Sequence, residues 1–321
     1  MVYFPFKSFG ILAGIASLAT VLAAPAPVTS SNTSEIASRR PSATPHFVVY
    51  SDSWAGGLPP TVAEIEGFNV VALSFLLAQG ACDQALGWTQ LSTAQRASIK
   101  SQYAAAGIKL IVSAFGSTDT PTTSGADPIA MADTMASWVL QYDLDGIDVD
   151  YEDFGAINAG DGKAEAWLAS FTTQLRTHLP QGQYIITHAP VAPWFSPVYP
   201  AGAYRKVHET VGDQIDWYNI QFYNQNEYTT CDNLLTASST TWPESSVFQI
   251  NSSGGVPLHK LVIGKPASTS GANNGYMSHT LLASCIQEAQ AKGWNAGVMA
   301  WEFPDASSSW IQSVRSSAFP L

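Results

Sequence analysis

Residues 144 to 153 read Leu-Asp-Gly-Ile-Asp-Val-Asp-Tyr-Glu-Asp, with Asp145, Asp148, Asp150 and Glu152 separated by three, two and two positions. The last three acids are interleaved with Val149 and Tyr151 and preceded by Ile147. That is the period of an extended strand, so the three carboxylates share one face while the β-branched residues and the tyrosine share the other. Crowding carboxylates in a half-buried strand is costly, because desolvation and like charge both raise their pKa values. A chain tolerates such a ladder where a proton must be held and delivered near neutral pH. A calcium loop also spaces acids by two, but it requires a glycine at its sixth position and a glutamate at its twelfth. Counted from Asp148, the sixth position is Asp153, and Ile147 and Val149 belong to a strand. A purely structural ladder would need a partner for each buried carboxylate, and lysine and arginine together number only 14.

On either side of this strand, short apolar or β-branched runs alternate with helical segments. The expected strands are His46 to Tyr50, Val70 to Leu76, Lys109 to Ala114, Gly146 to Glu152, Tyr184 to His188, Trp217 to Tyr223, Leu261 to Lys265 and Ala296 to Trp301. Between them, Ser92 to Gln95 forms a capping box that opens a helix running to Ala106, with Gly107 as its stop. Helices are also expected over Pro128 to Leu140, Ala164 to Leu179 and Thr280 to Lys292. Eight strands alternating with helices predict an α/β fold, a single (β/α)8 TIM barrel over residues 46–321. In such a barrel function gathers at the C-terminal strand ends. Glu152 closes the fourth strand there, His188 the fifth, Tyr223 and Asn224 the sixth, and Trp301 and Glu302 the eighth. Tyr50 and Phe75, at the ends of the first two strands, are further candidate substrate contacts. Asn219, Gln221 and Tyr223 share a parity and should face inward together.

The chain has 321 residues, 46% hydrophobic and 12% charged, with a net charge of -11. An acidic surface disfavours nucleic acid and anionic membranes as partners, whereas ten tryptophans and twelve tyrosines suit a neutral ring-shaped substrate such as a sugar. Lys7, an apolar run from Phe9 to Leu22 and the small residues Ala23 and Ala24 predict an export signal over residues 1–24 and hence a secreted, extracellular protein. Residues 25–45 are rich in Ser, Thr, Pro and Ala and contain Arg39-Arg40, so a disordered arm and a cleaved propeptide are both open. No membrane anchor is expected. Cys82, Cys231 and Cys285 allow one disulfide of unknown pairing plus one thiol, expected to be buried. Asn32 and Asn251 begin glycosylation sequons, and Asn251 would lie on the folded domain.

The stretch Asp145-Gly146-Ile147-Asp148-Val149-Asp150-Tyr151-Glu152 matches Asp-Gly-x-Asp-x-Asp-x-Glu, the signature of glycoside hydrolase family 18. Ala189-Pro190 followed by Pro193, Gln221-Phe222-Tyr223-Asn224 and Val298-Met299-Ala300-Trp301 resemble the strand ends of class III, hevamine-like chitinases. The resemblance spans the whole domain. It implies that Glu152 is the general acid and then the base toward water, that Asp150 orients the substrate's 2-acetamido group, and that Asp148 tunes Asp150. Tyr223 would donate to the acetamido carbonyl and Trp301 would floor the sugar site. The acetamido oxygen supplies the nucleophile through an oxazolinium ion, with retention of configuration. Neither cofactor nor metal is implied, and the expected working form is a monomer.

One departure from the family pattern and one missing insertion carry expectations. Where relatives usually have Ser-x-Gly-Gly at the third strand end, this chain has Ser113-Ala114-Phe115-Gly116, so Phe115 is expected near the substrate, narrowing the cleft or stacking on a sugar. No insertion between the seventh and eighth strands is long enough for a second small domain, which predicts an open, shallow, endo-acting cleft. The resemblance leaves a chitinase acting on β-1,4-linked N-acetylglucosamine and an endo-β-N-acetylglucosaminidase acting on the chitobiose core of N-glycans both open. A non-catalytic chitin-binding protein, or a xylanase-inhibitor-like one, is disfavoured by the intact ladder. An unrelated hydrolase with two opposed carboxylates would need a second acid, for which Glu302 is available. His188 could be a substrate contact or a satisfied barrel histidine.

Overall fold

The computed structural model describes residues 45–52 and 58–321. The expected export signal, most of the arm, and Asn32 lie outside the described residues. Eight parallel strands form the barrel wall: β1 His46–Ser51, β2 Val70–Leu77, β3 Lys109–Phe115, β4 Gly146–Asp150, β5 Ile185–His188, β6 Trp217–Gln221, β7 Leu261–Pro266 and β8 Gly297–Phe303. Each pairs with its sequence neighbour, and β1 pairs with both β2 and β8, which closes the sheet. The (β/α)8 barrel read from the sequence is the observed architecture. After β2 the chain makes a two-residue antiparallel turn-back at Gly80–Ala81 that leads into α1, Asp83–Gln90.

The outer helices form where caps and apolar spacing coincide. Ser92 and Gln95 make a reciprocal capping box that starts α2, Thr93–Ala105. Asp127 caps α3, Pro128–Gln141, with proline in its first turn, where a missing N–H costs nothing. In the loop after β4 stands the short α4, Phe154–Ala159. The amphipathic α5, Lys163–His178, buries Trp167, Leu168, Phe171 and Leu175 against the barrel. The remaining helices are α6 Ala203–Val211, α7 Cys231–Leu235, α8 Val247–Gly254, α9 His279–Ala291 and α10 Ser308–Arg315. Of the helices outside the four expected, α4 and α7 are six and five residues long, too short to show a helical period, and α1, α6, α8 and α10 have only eight or nine residues.

Gly146 opens β4 for a steric reason: a Cβ there would sit 2.0 Å from the carbonyl oxygen of Ile185 on β5. Asp145 beside it faces away from the cleft, accepting from the Leu110 N–H at 2.7 Å and from Lys100 at 2.8 Å. The first acid of the ladder therefore ties α2 to the base of the barrel, and only the other three serve the site. The disulfide joins Cys231 to Cys285, linking α7 to α9. Asn251 lies within α8 and donates its side-chain N–H to the Val256 carbonyl at 2.8 Å.

Candidate active site

Inside the barrel the inward side chains rise in three layers. At the bottom Trp217 stacks on His46 at 3.8 Å, and burial lowers the His46 pKa to about 4, so the imidazole is neutral. The Trp217 indole donates to Asn219 Oδ1 at 2.9 Å, which fixes the orientation of that amide and aims its N–H group upward. The middle layer centres on Asp148, fully buried, which accepts from Tyr50 at 2.7 Å, Ser113 at 2.9 Å, Thr187 at 2.5 Å and Asn219 at 3.1 Å. Strand register makes this convergence possible, since Ser113 and Thr187 are the direct neighbours of Asp148 on β3 and β5. Burial raises the Asp148 pKa, and these four donors pull it back down.

The top layer is the acid pair. Asp150, 4% exposed, accepts from Gln221 Nε2 at 2.9 Å, and Glu152 accepts from the same nitrogen at 3.2 Å. Burial first, then the charges of Glu152 and Asp148, push Asp150 well above the usual carboxylate range. Glu152 is also raised, with burial as the leading cause and Gln221 opposing it. Two carboxyl groups sharing one donor titrate as a unit. Their arrangement favours one proton shared by the pair. The site can therefore store and release a proton at pH values where an exposed carboxylic acid would be ionised.

The cleft above this layer is lined by Phe75, Asp150, Glu152, Gln221, Tyr223, Asn224 and Trp301. Of the expected site residues, these seven come together at the C-terminal mouth, and Asn219, Gln221 and Tyr223 share the inward face as their parity requires. Tyr223 remains a neutral phenol, its pKa raised by burial and then by Asp150 and Glu152. The Trp301 ring stacks beside Phe75 at 5.9 Å and tilts over Tyr50 at 5.8 Å, giving an apolar floor. Asn224 spends its Oδ1 on the Asn273 N–H at 2.8 Å, bracing the rim. Sequence reading missed Asp52, Cys82, Asp83, Ser117, Thr118 and Gly271, which complete the lining. Asp83 opens α1 and the other five stand on loops beyond strand ends, where no periodicity marks them. The leftover thiol, expected to be buried, is Cys82, and it is half-buried in the cleft wall, with its pKa pushed up to about 11 by burial and then Asp83.

Three expected contacts lie elsewhere. Phe115 is fully buried, its ring 5.7 Å from Trp167 and 5.4 Å from Phe171 of α5, so it neither narrows the cleft nor stacks on a substrate. The cause is its backbone: at φ +77° the side chain swings out of the strand's alternation and into the helix layer. His188 is also fully buried and faces outward, held by Thr172 at 3.1 Å and Tyr204 at 3.1 Å. It is the satisfied barrel histidine. Tyr50 is 1% exposed and lies under the floor with its hydroxyl on Asp148.

The pattern of Glycosyl hydrolases family 18 matches residues 46–317. A chitinase of Enterococcus faecalis is 26% identical over 259 residues, 74% of this chain and 71% of that protein. An endochitinase of Saccharomyces cerevisiae is 29% identical over 170 residues, 51% of this chain and 25% of that protein, so the chain spans about a quarter of that relative's length. Among solved structures, a GH18 chitinase from Pseudoalteromonas aurantia superposes with a TM-score of 0.70 at 28% identity, covering 85% of this chain and 99% of that one. A fungal endo-β-N-acetylglucosaminidase of the same family gives 0.60 at 20% identity over 84% and 96% of the two chains, a likeness of fold. With its acid ladder, Gln221 and Tyr223 gathered at the mouth of a closed eight-stranded barrel, the chain belongs to glycosyl hydrolase family 18.

Proposed function

We propose that the protein is a secreted, endo-acting chitinase that cleaves β-1,4-linked N-acetylglucosamine with retention of configuration. The observation that carries this reading is the convergence of Asp150, Glu152, Gln221 and Tyr223 on one cleft floored by Trp301, with Asp148 buried directly beneath. Glu152 gives its proton to the glycosidic oxygen as the bond from that oxygen to the anomeric carbon breaks. The acetamido carbonyl oxygen of the same sugar forms the new bond to that carbon, and Tyr223 donates a hydrogen bond to the acetamido group. Asp150 accepts from the acetamido N–H and stabilises the oxazolinium ion, while Asp148 and its four donors hold the charge below. Glu152, now a carboxylate, takes a proton from water as the water bonds to the anomeric carbon from the face the leaving group vacated, and the bond from that carbon to the acetamido oxygen breaks to restore the acetamido group.

The names of the relatives support chitin as the polymer. The segment after β7 contains one helix, α9, and no second domain, which supports an open cleft and internal cleavage. Export is supported by the Cys231–Cys285 disulfide, a bond typical of oxidising compartments, and a monomer is the working form we propose.

The test is a parallel digestion of chitin oligosaccharides and a high-mannose glycoprotein, read by mass spectrometry, with Glu152→Gln as control. Shortened chitin oligomers alone uphold the proposal. Release of the glycan with one N-acetylglucosamine left on asparagine would reassign the protein as an endo-β-N-acetylglucosaminidase. Chitin binding without cleavage of either substrate would make it a binding protein.

A further inference from the structure

Lys265, on β7, is fully buried. Its ammonium donates to three main-chain carbonyls: Phe222 at 2.7 Å, Tyr228 at 2.6 Å and Gly275 at 3.0 Å. An ammonium has three protons, and these acceptors use all of them. Burying that charge among carbonyl dipoles is expensive, and a methionine stem would fill the same channel without the desolvation cost. Burial lowers the Lys265 pKa to about 7, which measures the same cost. Packing alone therefore does not account for a lysine here.

What an ammonium does and a methyl group cannot is join three segments of backbone. Phe222 immediately precedes Tyr223, and Tyr228 lies farther along the same loop. Gly275 sits on the facing loop at φ +90°, where a Cβ would come 2.5 Å from Tyr223 Cα. The same two loops are stitched by Asn224 N–H to Asn274 O at 3.0 Å and by Asn226 N–H to Asn274 Oδ1 at 2.7 Å. Tyr223 is thus backed on one side by Gly275, and the carbonyl before it is anchored from beneath. The aim of its phenol into the cleft follows from where this backbone stands.

We propose that Lys265 is a positioning residue for Tyr223, clamping the loops that carry and back it so that the phenol meets the substrate at a fixed place. This rests on the reading of Tyr223 as a hydrogen-bond donor in the reaction. A group displaced by about 1 Å can lose about 100-fold in rate, so the clamp acts on turnover more than on binding.

The experiment measures kcat and KM on chitin oligosaccharides for the wild type, Lys265→Met, Tyr223→Phe and the double variant. Hydrogen exchange of the same proteins is read by mass spectrometry. Lys265→Met is expected to lower kcat about 10- to 100-fold with little change in KM, and the double variant is expected to be no slower than Tyr223→Phe alone. Exchange should quicken in residues 222–230 and 273–276 and nowhere else. Lys265→Gln, which keeps two N–H donors, should recover part of the loss, and it serves in place of Lys265→Met if that variant does not fold. Wild-type kcat in the folded variant, multiplicative losses in the double variant or unchanged exchange would each overturn the proposal. Failure of both variants to fold would assign Lys265 to the fold and overturn it as well. If the wild type cuts no substrate, or Tyr223→Phe is fully active, the reading of Tyr223 fails separately, and the exchange data alone then decide whether Lys265 clamps the loops.

Discussion

Gln221 holds its side-chain nitrogen 2.9 Å from Asp150 Oδ1, and that one contact governs how the acid pair shares its proton. The same nitrogen lies 3.2 Å from Glu152 and 2.9 Å from the Ala189 carbonyl. An amide has two N–H groups for these three acceptors, so at any moment one of them goes unserved, and a proton on one carboxyl resolves the shortage. The hydrogen bond from Gln221 lowers the pKa of both acids. Gln221→Leu should therefore raise both further. The alkaline limb of kcat, where the general acid loses its proton, should move to higher pH. The maximum should fall about 10- to 100-fold, because neither carboxyl is held in place. A pH profile of kcat checks both, and an unmoved limb would refute the role.

Burial raises the pKa of Asp148, Asp150 and Glu152, and this sets a sign for stability. A group whose folded pKa is raised binds its proton more tightly when folded, so its contribution is full below the unfolded pKa and is lost as pH rises through the folded value. Buried histidines work the other way: His188, lowered to about 3, costs stability as pH falls below its ordinary 6.5. The overall curve is therefore a compromise, and a difference isolates the acids. Asp150→Asn should melt higher than the wild type, by a margin that is small near pH 4 and grows toward pH 8, at about 2–4 °C per kcal/mol. A margin independent of pH would show that the Asp150 carboxyl keeps an ordinary pKa.

Phe115 holds a left-handed backbone at φ +77°, which costs a non-glycine residue about 1–2 kcal/mol. The ring offsets this by packing against the stacked pair Trp167 and Phe171. Phe115→Gly relieves the strain and opens a cavity, and truncations of this size cost about 3–5 kcal/mol. The net loss should be about 1–4 kcal/mol in a denaturant titration. The pattern of oligosaccharide products should not change, because the ring does not reach the cleft. A shift in product lengths would return Phe115 to the substrate site.

The misplacement of Phe115 shows what the amino-acid order can and cannot carry. The eight strands and their order are legible because alternation and β-branching repeat over five or more residues, and the acid ladder is legible because three carboxylates on one strand face have few explanations. The sign of φ at a single residue leaves no such trace. Ser113 and Thr187 are equally silent, since a lone hydroxyl in a strand has no meaning until register sets it beside Asp148. The Cys231–Cys285 pair spans 54 residues and depends on how two helices, α7 and α9, meet. Lys265 reads as an ordinary strand residue until three carbonyls surround it.

Glu302 is the strand-end acid that the sequence offers as a rival to Glu152. It follows Trp301, and its pKa is raised to about 7 by burial first, then by Asp52 and Asp305, so it too can carry a proton near neutrality. Its position argues against chemistry on the sugar: it is not part of the lining that holds Glu152, Asp150 and Tyr223, and its Oε2 is buried without a hydrogen-bond partner. Because the acetamido oxygen supplies the nucleophile in the proposed reaction, no second carboxylate is needed across the scissile bond. Glu152→Gln should lower kcat by about 10²–10⁴, the range of a general acid-base group. Glu302→Gln, which keeps the shape and removes the charge, should change kcat by less than about threefold. Comparable losses in the two variants would make Glu302 a partner in catalysis and require a mechanism with two enzyme carboxylates.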